Sequence, residues 1–178
     1  MANLDAPVGL APWNGNQDGP PRLRLYKGGT TTSIGRGDVV AVAANGRIHR
    51  VATTTASDLV VGVSAHYVAA PAAGVTATPD VWVYDDPNQM FVIQDDGAAA
   101  TPAQSSLFAT YPLVLGTPNT TTGSSIQELD ISGPGAAATD PLLAIGYVEG
   151  PDKDISKNAK FLVRLNRHVQ KTGTTGVN

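Results

Sequence analysis

Ser64 is the residue whose neighbours come closest to a known catalytic motif. The run Gly62-Val63-Ser64-Ala65-His66 shares a glycine and a serine with the Gly-x-Ser-x-Gly nucleophile elbow, in which a sharp strand-to-helix turn exposes the hydroxyl. His66 takes the place of the second glycine, and no helical pattern follows it. We therefore interpret Ser64 as a serine within a strand rather than as a nucleophile.

The three histidines, His49, His66 and His168, are the candidate metal ligands of the chain. They fall on three different predicted strands, so they could converge on zinc in principle, but their spacing does not favour a site. The acidic pairs at 95–96 and 152–154 lack the glycine and terminal glutamate of a calcium loop and are typical of turns. The chain has no cysteine, which excludes a thiolate ligand and a cysteine nucleophile. The sequence thus predicts no catalytic residue, no metal and no cofactor, and we expect that the chain is not an enzyme.

Two short motifs have a binding interpretation. Arg36-Gly37-Asp38 is an integrin-type tripeptide, and Asn119-Thr120-Thr121 is an N-glycosylation sequon. We interpret the first as a turn that leads into a strand at Val39, and the second has meaning only in a secreted chain. The phosphate-binding patterns Gly-x-x-x-x-Gly-Lys-Ser/Thr and Gly-x-Gly-x-x-Gly do not occur in the chain. These motifs therefore indicate no function by themselves.

The composition indicates one small domain with a nearly neutral surface. The chain has 178 residues, of which 15% are charged, whereas charged residues usually make up about a quarter of a soluble domain. The 19 glycines and 13 prolines make it rich in turns, but they stay below the roughly 25–30% that indicates disorder. No apolar run approaches the roughly 18 residues of a membrane span, and residues 1–12 lack the basic flank and apolar stretch of a signal peptide.

The charges are segregated along the chain. Residues 1–50 carry six basic and three acidic side chains, residues 51–150 carry ten acidic and no basic ones, and residues 151–178 carry six basic and two acidic ones. Either the basic ends fold back and neutralise the acidic middle, or the molecule has two faces and turns its basic ends toward a partner. The basic residues are sparse and lack interleaved aromatic residues, so nucleic acid is not a predicted partner.

The hydrophobic pattern predicts short strands almost throughout the chain. Asn45-Gly46 is a two-residue hairpin signal because both positions tolerate a positive φ, and Gly62 predicts a bulge or a close approach. Thr101 and Pro102 predict the start of one short helix that runs to about Ala109. We therefore predict an all-β fold, a small β-barrel or sandwich. The predicted strands are Asp38–Ala44, Arg47–Ala52, Leu59–Val68, Thr76–Tyr84, Gln89–Gln94, Leu113–Leu115, Leu142–Val148 and Ala159–Val169.

Three regions are predicted along the chain. Residues 1–34 are an extended N-terminal arm, because four prolines within the first 21 residues exclude a helix. Trp13 is the only large aromatic residue among the first 22, and it indicates an arm that docks on a surface. Residues 35–170 are the β-rich domain, and residues 171–178 are a polar tail.

Five motifs follow one another in the second half of the chain: Thr122-Gly123-Ser124-Ser125, Glu128-Leu129-Asp130, Pro141–Val148, Pro151-Asp152 and Asn158–His168. In this order they resemble the ending of a family of head decoration (cement) proteins of tailed bacteriophages. In that family a Gly-Ser-Ser/Leu-Asp stretch precedes an Ile/Leu-Gly strand, and a Lys-x-Leu-Val-Arg/Lys-x-Asn-x-His strand closes the domain. The resemblance extends over roughly residues 35–170 through four upstream segments: Gly37–Val40, Asn45-Gly46, Val60–Val63 and Asp86–Gln94.

The resemblance implies a β-tulip-like domain that binds the outer surface of an icosahedral shell and has no catalytic activity. It implies the major capsid protein as partner, homotrimers at local threefold axes, a location on the virion surface, and neither nucleic acid nor a membrane as a partner. From the Pro/Gly-rich arm and the basic ends we predict that Trp13, Arg22, Arg24 and Lys27 contact the capsid.

Two other functions remain open from the sequence. An adhesin domain that recognises glycans or a receptor would agree with the Thr-rich loops and with Arg36-Gly37-Asp38. A hydrolase would use Ser64 or a histidine metal site. Of the three, the decoration protein is the leading hypothesis.

Overall fold

The computed structural model describes residues 3–14, 20–29, 31–52, 59–72, 74–75, 78–98, 102–132, 138–148, 155–171 and 173. Within these residues the chain forms twelve strands and one 3-10 turn, Gln104–Ser106. The strands are β1 (Ala11–Pro12), β2 (Leu23–Lys27), β3 (Val39–Val42), β4 (Ile48–Arg50), β5 (Leu59–Ser64), β6 (Asp80–Tyr84), β7 (Met90–Gln94), β8 (Thr110–Tyr111), β9 (Leu113–Val114), β10 (Glu128–Leu129), β11 (Leu142–Tyr147) and β12 (Lys160–Leu165).

Ten of these strands form two five-stranded antiparallel sheets. The first sheet has the order β1-β7-β12-β11-β8, the second has the order β2-β6-β5-β3-β4, and β9 pairs with β10. The turn at 85–89 carries the chain from β6 in the second sheet to β7 in the first. Because the two sheets bury apolar side chains against each other, the arrangement is a sandwich. The prediction of an all-β fold is confirmed, and the described strands form no closed barrel.

The main core lies between the two sheets. The first sheet contributes Phe91, Tyr111 and Phe161, and the second contributes Val39 and Val60, all fully buried. The rings of Tyr111 and Phe161 have their centroids 6.3 Å apart and are tilted by 55°. Such an aromatic pair contributes about 0.5–1.5 kcal/mol beyond the area that it buries.

The second sheet is buried on both faces at its inner strands β3 and β5. Its face away from the first sheet forms a second core that includes Val40, Val61 and Val81, and Ile34 and Val68 pack against them. A strand that is buried on both faces needs apolar residues at consecutive positions. This explains why β3 and β5 are nearly continuous apolar runs instead of alternating ones.

The hairpin predicted at Asn45-Gly46 joins β3 to β4. Gly46 has a φ of 76°, a conformation that glycine adopts at no steric cost. The N–H of Ala43 donates to the carbonyl of Arg47 at 2.9 Å, and that of Gly46 donates to the carbonyl of Ala43 at 2.8 Å. The prediction of this hairpin is confirmed.

Gly62 marks both a bulge and a close approach, as its position in an apolar run predicted. The register between β3 and β5 shifts between Val40 and Ala41, so β5 has one extra residue there. A β-carbon on Gly62 would lie closer than 3.0 Å to the carbonyl oxygen of Tyr84 in the neighbouring strand β6. Only glycine therefore allows β5 and β6 to approach this closely.

The short helix predicted from Thr101 to about Ala109 is a single 3-10 turn instead. Thr101, the predicted N-cap, lies outside the described residues. After the turn, Leu107 is extended, with φ −83° and ψ 150°, and Phe108 has a positive φ of 63°. The N–H of Phe108 donates to Ala144 of β11 at 2.8 Å. Pairing with the first sheet thus overrides the local helical preference.

The described part of the predicted arm is extended, and it belongs to both sheets. β1 pairs with β7 in the first sheet, and β2 pairs with β6 in the second. The arm region therefore supplies one edge strand to each sheet. The boundary at residue 34 remains a prediction, and residues 174–178 of the predicted tail lie outside the described residues.

Candidate interaction surface

The edge strand β2 and its neighbour β6 carry an exposed apolar patch. In their antiparallel register Leu25 lies opposite Trp82, and Leu23 lies opposite Tyr84, so these side chains share one face. The exposed fractions are 44% for Leu23, 47% for Leu25 and 47% for Trp82. We call Leu23, Leu25 and Trp82 the β2–β6 patch.

The alternation in β6 forces Trp82 outward. Val81 and Val83 are fully buried in the second core, so the residue between them points to the opposite face. β6 is an inner strand, and the carbonyl of Trp82 accepts a hydrogen bond from Ala65 at 2.8 Å. Trp82 is therefore presented by a backbone that is held by hydrogen bonds on both sides.

Three of the four predicted capsid-contacting residues lie on β2 or just before it. Arg22 and Arg24 alternate with the leucines of the patch and so face the other side of the sheet, where both bind one buried carboxylate. Arg22 Nε lies 2.7 Å and Arg24 Nε 3.3 Å from the carboxylate of Asp85, whose side chain is completely buried. Tyr26 donates its hydroxyl to the same carboxylate at 2.8 Å, and Arg22 Nη2 donates to the Asp85 carbonyl at 2.7 Å. These contacts link β2 to the end of β6.

Lys27 and Trp13 are placed differently. Lys27 pairs with Asp80 across β2 and β6, and both side chains are mostly exposed. Trp13 is half-buried just after β1. Its backbone N–H donates to the carbonyl of Met90 at 2.9 Å, and its backbone carbonyl accepts from Gln89 Nε2 at 3.2 Å. Of the predicted contact residues, Arg24 and Lys27 are the exposed ones in the structure.

The sequence prediction missed the apolar part of this surface. The two strands that carry the patch do have a pattern in the sequence: Leu23-Arg24-Leu25 alternates in polarity and Val81-Trp82-Val83 alternates in size. Alternation alone does not tell which face is buried. The charge pattern was informative, since basic residues from the first part of the chain do neutralise Asp80 and Asp85 of the acidic middle.

Two of the residues considered for chemistry, Ser64 and His168, make structural hydrogen bonds. Ser64 is buried, and its hydroxyl donates to the carbonyl of His66 at 2.8 Å. Nε2 of the buried His168 lies 2.7 Å from the carbonyl of Val61, and its Nδ1 accepts from the N–H of Gln170 at 3.1 Å. Burial lowers the pKa of His168, so the neutral ring joins β12 to β5. No group of three or more histidine and acidic residues that could hold a metal occurs in the described ranges.

Asp38 of the integrin-type tripeptide is completely buried. Its carboxylate accepts from the N–H of Gly35 at 2.6 Å, and burial raises its pKa. Arg36 is exposed and donates to Ser124 Oγ at 3.3 Å. A carboxylate without solvent access cannot reach a receptor, so this segment is a turn before β3, as the sequence predicted.

Glu128 lies in an acidic cluster at the other end of the molecule. Burial, together with the charges of Asp5, Asp96 and Asp95, raises the pKa of Glu128 to about 7. Its Oε1 atom is buried and has no hydrogen-bond partner among the described residues. Neutralising Glu128 therefore removes both a buried charge and a repulsion.

The N-terminal segment brings Asp5 to this cluster. Gln94 Nε2 donates to the carbonyl of Leu4 at 2.8 Å, and the N–H of Ala6 donates to Gln94 Oε1 at 3.2 Å. Asn3 Nδ2 donates to Ser156 Oγ at 3.2 Å. The backbone on both sides of Asp5 is thus fixed, and the carboxylate cannot move far from Glu128.

We expect the pKa of Glu128 to make the fold less stable as the pH rises. Between the ordinary value of 4.5 and about 7, the folded chain keeps a proton that the unfolded chain has released, so the free energy of unfolding falls through this window. The variant Glu128→Gln cannot ionise, and we expect it to lose less stability over the same interval. Urea unfolding at about pH 5 and about pH 8 measures both slopes. Equal slopes for the two chains would contradict the expectation.

Comparison of the chain with protein-family models, curated proteins and solved structures found no match. Among the residues that the structure describes, no helix has the length and apolar character that a membrane crossing needs. The candidate surface is thus an apolar patch of one tryptophan and two leucines, of which the leucines lie on the edge strand β2.

Proposed function

We propose that this chain is a head decoration protein that binds the outer surface of a tailed-bacteriophage capsid through the β2–β6 patch. The patch is the observation that carries the proposal, together with the ordered motifs over residues 35–170. In this role the chain contacts the major capsid protein and stabilises the contacts between its subunits.

The chemistry of the patch supports a protein partner. Tryptophan is among the residues most enriched in the set that dominates protein–protein affinity. Trp82 is exposed opposite Leu25, and Lys27 lies on the same face of the edge strand β2. An edge strand also offers unpaired backbone groups for strand addition by a partner.

We also propose that the chain acts as a homotrimer at local threefold axes, as the resemblance implies. Many copies that each make a modest contact add up to strong stabilisation of a shell. Sedimentation velocity of the purified chain measures its oligomeric state, and a monomer at all concentrations would exclude a preformed trimer.

Density-gradient sedimentation of the source lysate tests the proposal directly. We expect the chain to band with intact particles at near-stoichiometry to the major capsid protein. Mass spectrometry should use a protease that cleaves at aspartate or aromatic residues, because no lysine or arginine lies between Arg50 and Lys153. A few copies per particle would favour an adhesin or tail component, and a chain left at the top of the gradient would overturn the capsid assignment.

The double variant Leu25→Ser/Trp82→Ser is expected to bind shells at least about 30-fold more weakly, since a central tryptophan contributes about 2 kcal/mol or more to an interface. Both side chains are half exposed, so we expect the free energy of unfolding to change little. The control is Val75→Ser, which removes another exposed apolar side chain outside the patch. The binding of the double variant and of the control to purified shells that lack the chain is compared by co-sedimentation. Undiminished binding by the double variant would exclude the patch as the contact.

The adhesin alternative has no specific observation in its favour. Its main motif ends in the buried Asp38, and the cleft lined by Thr31, Thr32 and Asn45 contains no tryptophan, tyrosine or phenylalanine among its described lining residues.

A further inference from the structure

The segment after β12 places two basic residues, Arg167 and Lys171, at one turn. The chain turns back after Leu165, and this turn is closed by the N–H of Lys171, which donates to the carbonyl of His168 at 2.8 Å. His168 is itself fixed by its contact with Val61 in the second sheet. The positions of Arg167 and Lys171 are thereby set by the fold.

A cleft of about 420 Å³ opens at this turn. Arg167 and Lys171 line it together with the amide side chain of Gln170, and no acidic side chain is among its described lining residues. Leu59 and Val169 also line the cleft, with 53% and 42% of their surfaces exposed. The cleft thus combines positive charge with two exposed apolar side chains.

Arg164 is a further basic residue whose charge acts on Lys171, although it does not line the cleft. It lies on β12 between Met90 of β7 and Leu143 of β11, where the neighbouring side chains are apolar. Its Nε atom is buried and has no hydrogen-bond partner among the described residues. Burial and the charge of Arg164 both lower the pKa of Lys171. Within the described part of the chain neither side chain forms an ion pair with a carboxylate, and two partly buried like charges destabilise each other.

We propose that the cleft at the end of β12 binds an oxyanion, supplied as a carboxylate side chain of an acidic, partly apolar peptide segment of a partner protein. The positive charges of Arg167 and Lys171, which line the cleft, match the carboxylate, and Leu59 and Val169 match apolar neighbours that a free phosphate ion would not have. This site is distinct from the β2–β6 patch, and the proposal does not depend on the decoration function.

Thermal unfolding of the full chain tests the proposal without any shell. The probe is a capped peptide of alternating glutamate and leucine, and the comparison solutions contain its glutamine counterpart, inorganic phosphate, or sodium chloride at matched ionic strength. We expect the acidic peptide to raise the Tm by about 3–6 °C when present at ten times its Kd. The glutamine peptide and chloride are expected to leave the Tm unchanged.

Lys171→Met keeps the apolar stem and removes the charge. Without peptide it is expected to have a higher Tm than the wild type, because the repulsion with Arg164 is relieved, and with peptide it is expected to show no further rise. Lys160→Met is the matched control, since Lys160 is an exposed lysine on β12 that does not line the cleft; it should respond to the peptide as the wild type does. Arg167→Met removes the other positive charge that lines the cleft, and we expect it to show a smaller rise with the peptide than the wild type.

Three results would overturn the proposal. Stabilisation by phosphate but not by the peptide would make this a small-anion site. An equal response of Lys171→Met, Arg167→Met and the wild type to the peptide would place binding elsewhere. No response of the wild type to any anion would exclude an oxyanion site altogether.

Discussion

Replacing Gly62 by alanine is expected to lower the free energy of unfolding by about 3 kcal/mol or more. The new β-carbon would lie closer than 3.0 Å to the carbonyl oxygen of Tyr84 and 2.6 Å from Cγ1 of Val83. Both atoms belong to the inner strand β6, so neither can move without separating β6 from β5. Because these strands contribute to both cores, the strain cannot be relieved locally.

Gly146→Ala is the matched control for this substitution. Gly146 also lies at a register shift, in β11, but a β-carbon there would have no atom within 4 Å. We expect its stability to be unchanged or raised by about 0.4–1 kcal/mol, because alanine restricts the unfolded chain. Urea or thermal unfolding of both variants gives the comparison. Equal stabilities would show that the close approach of β5 and β6 relaxes at low cost.

The second large effect is expected at Arg22, which was predicted from the sequence as a capsid contact. Replacing it by methionine removes hydrogen bonds to the carboxylate and the carbonyl of Asp85 and leaves that buried carboxylate with Tyr26 and Arg24. We expect a loss of about 2–3 kcal/mol in the free energy of unfolding, because a buried charge that loses a partner is costly.

Lys27→Met tests the same change of charge without burial. Lys27 and Asp80 form an ion pair in which the side chains are 63% and 51% exposed, so its removal should cost below about 0.5 kcal/mol. Denaturant unfolding of Arg22→Met and Lys27→Met in the same buffer measures the difference. If the two variants lose the same stability, burial of Asp85 is not what makes the contact of Arg22 strong.

The role of Arg22 affects how shell binding should be tested. A truncation of residues 2–22 would remove Trp13, β1 and Arg22 at once, so it would disturb the edges of both sheets as well as any capsid contact. Substitutions at Leu25 and Trp82 avoid this problem, because these side chains are exposed and outside both cores. Loss of binding in those variants reports on the surface itself.

Much of the fold could be predicted from local signals. The hairpin at Asn45-Gly46 depends on the conformational freedom of two adjacent residues. The ends of the strands on either side of Asp86 depend on a local turn, in which the N–H of Gln89 donates to the carbonyl of Asp86 at 3.1 Å. The close approach at Gly62 was predictable because a glycine within an apolar run has few other uses. The sequence predicted a helix where the structure has a 3-10 turn, because residues 108–111 pair with β11, which lies far along the chain.

The sequence by itself determined the all-β class, the segregation of charge and several of the turns, because these follow from neighbouring residues. Only the tertiary structure decided which polar and apolar groups face solvent. Asp85 and Asp38 are buried although their side chains are charged, whereas Trp82 and Leu25 are exposed although they are apolar. Alternation along a strand marks its two faces but not which one another sheet covers, and that depends on contacts between residues far apart in the chain.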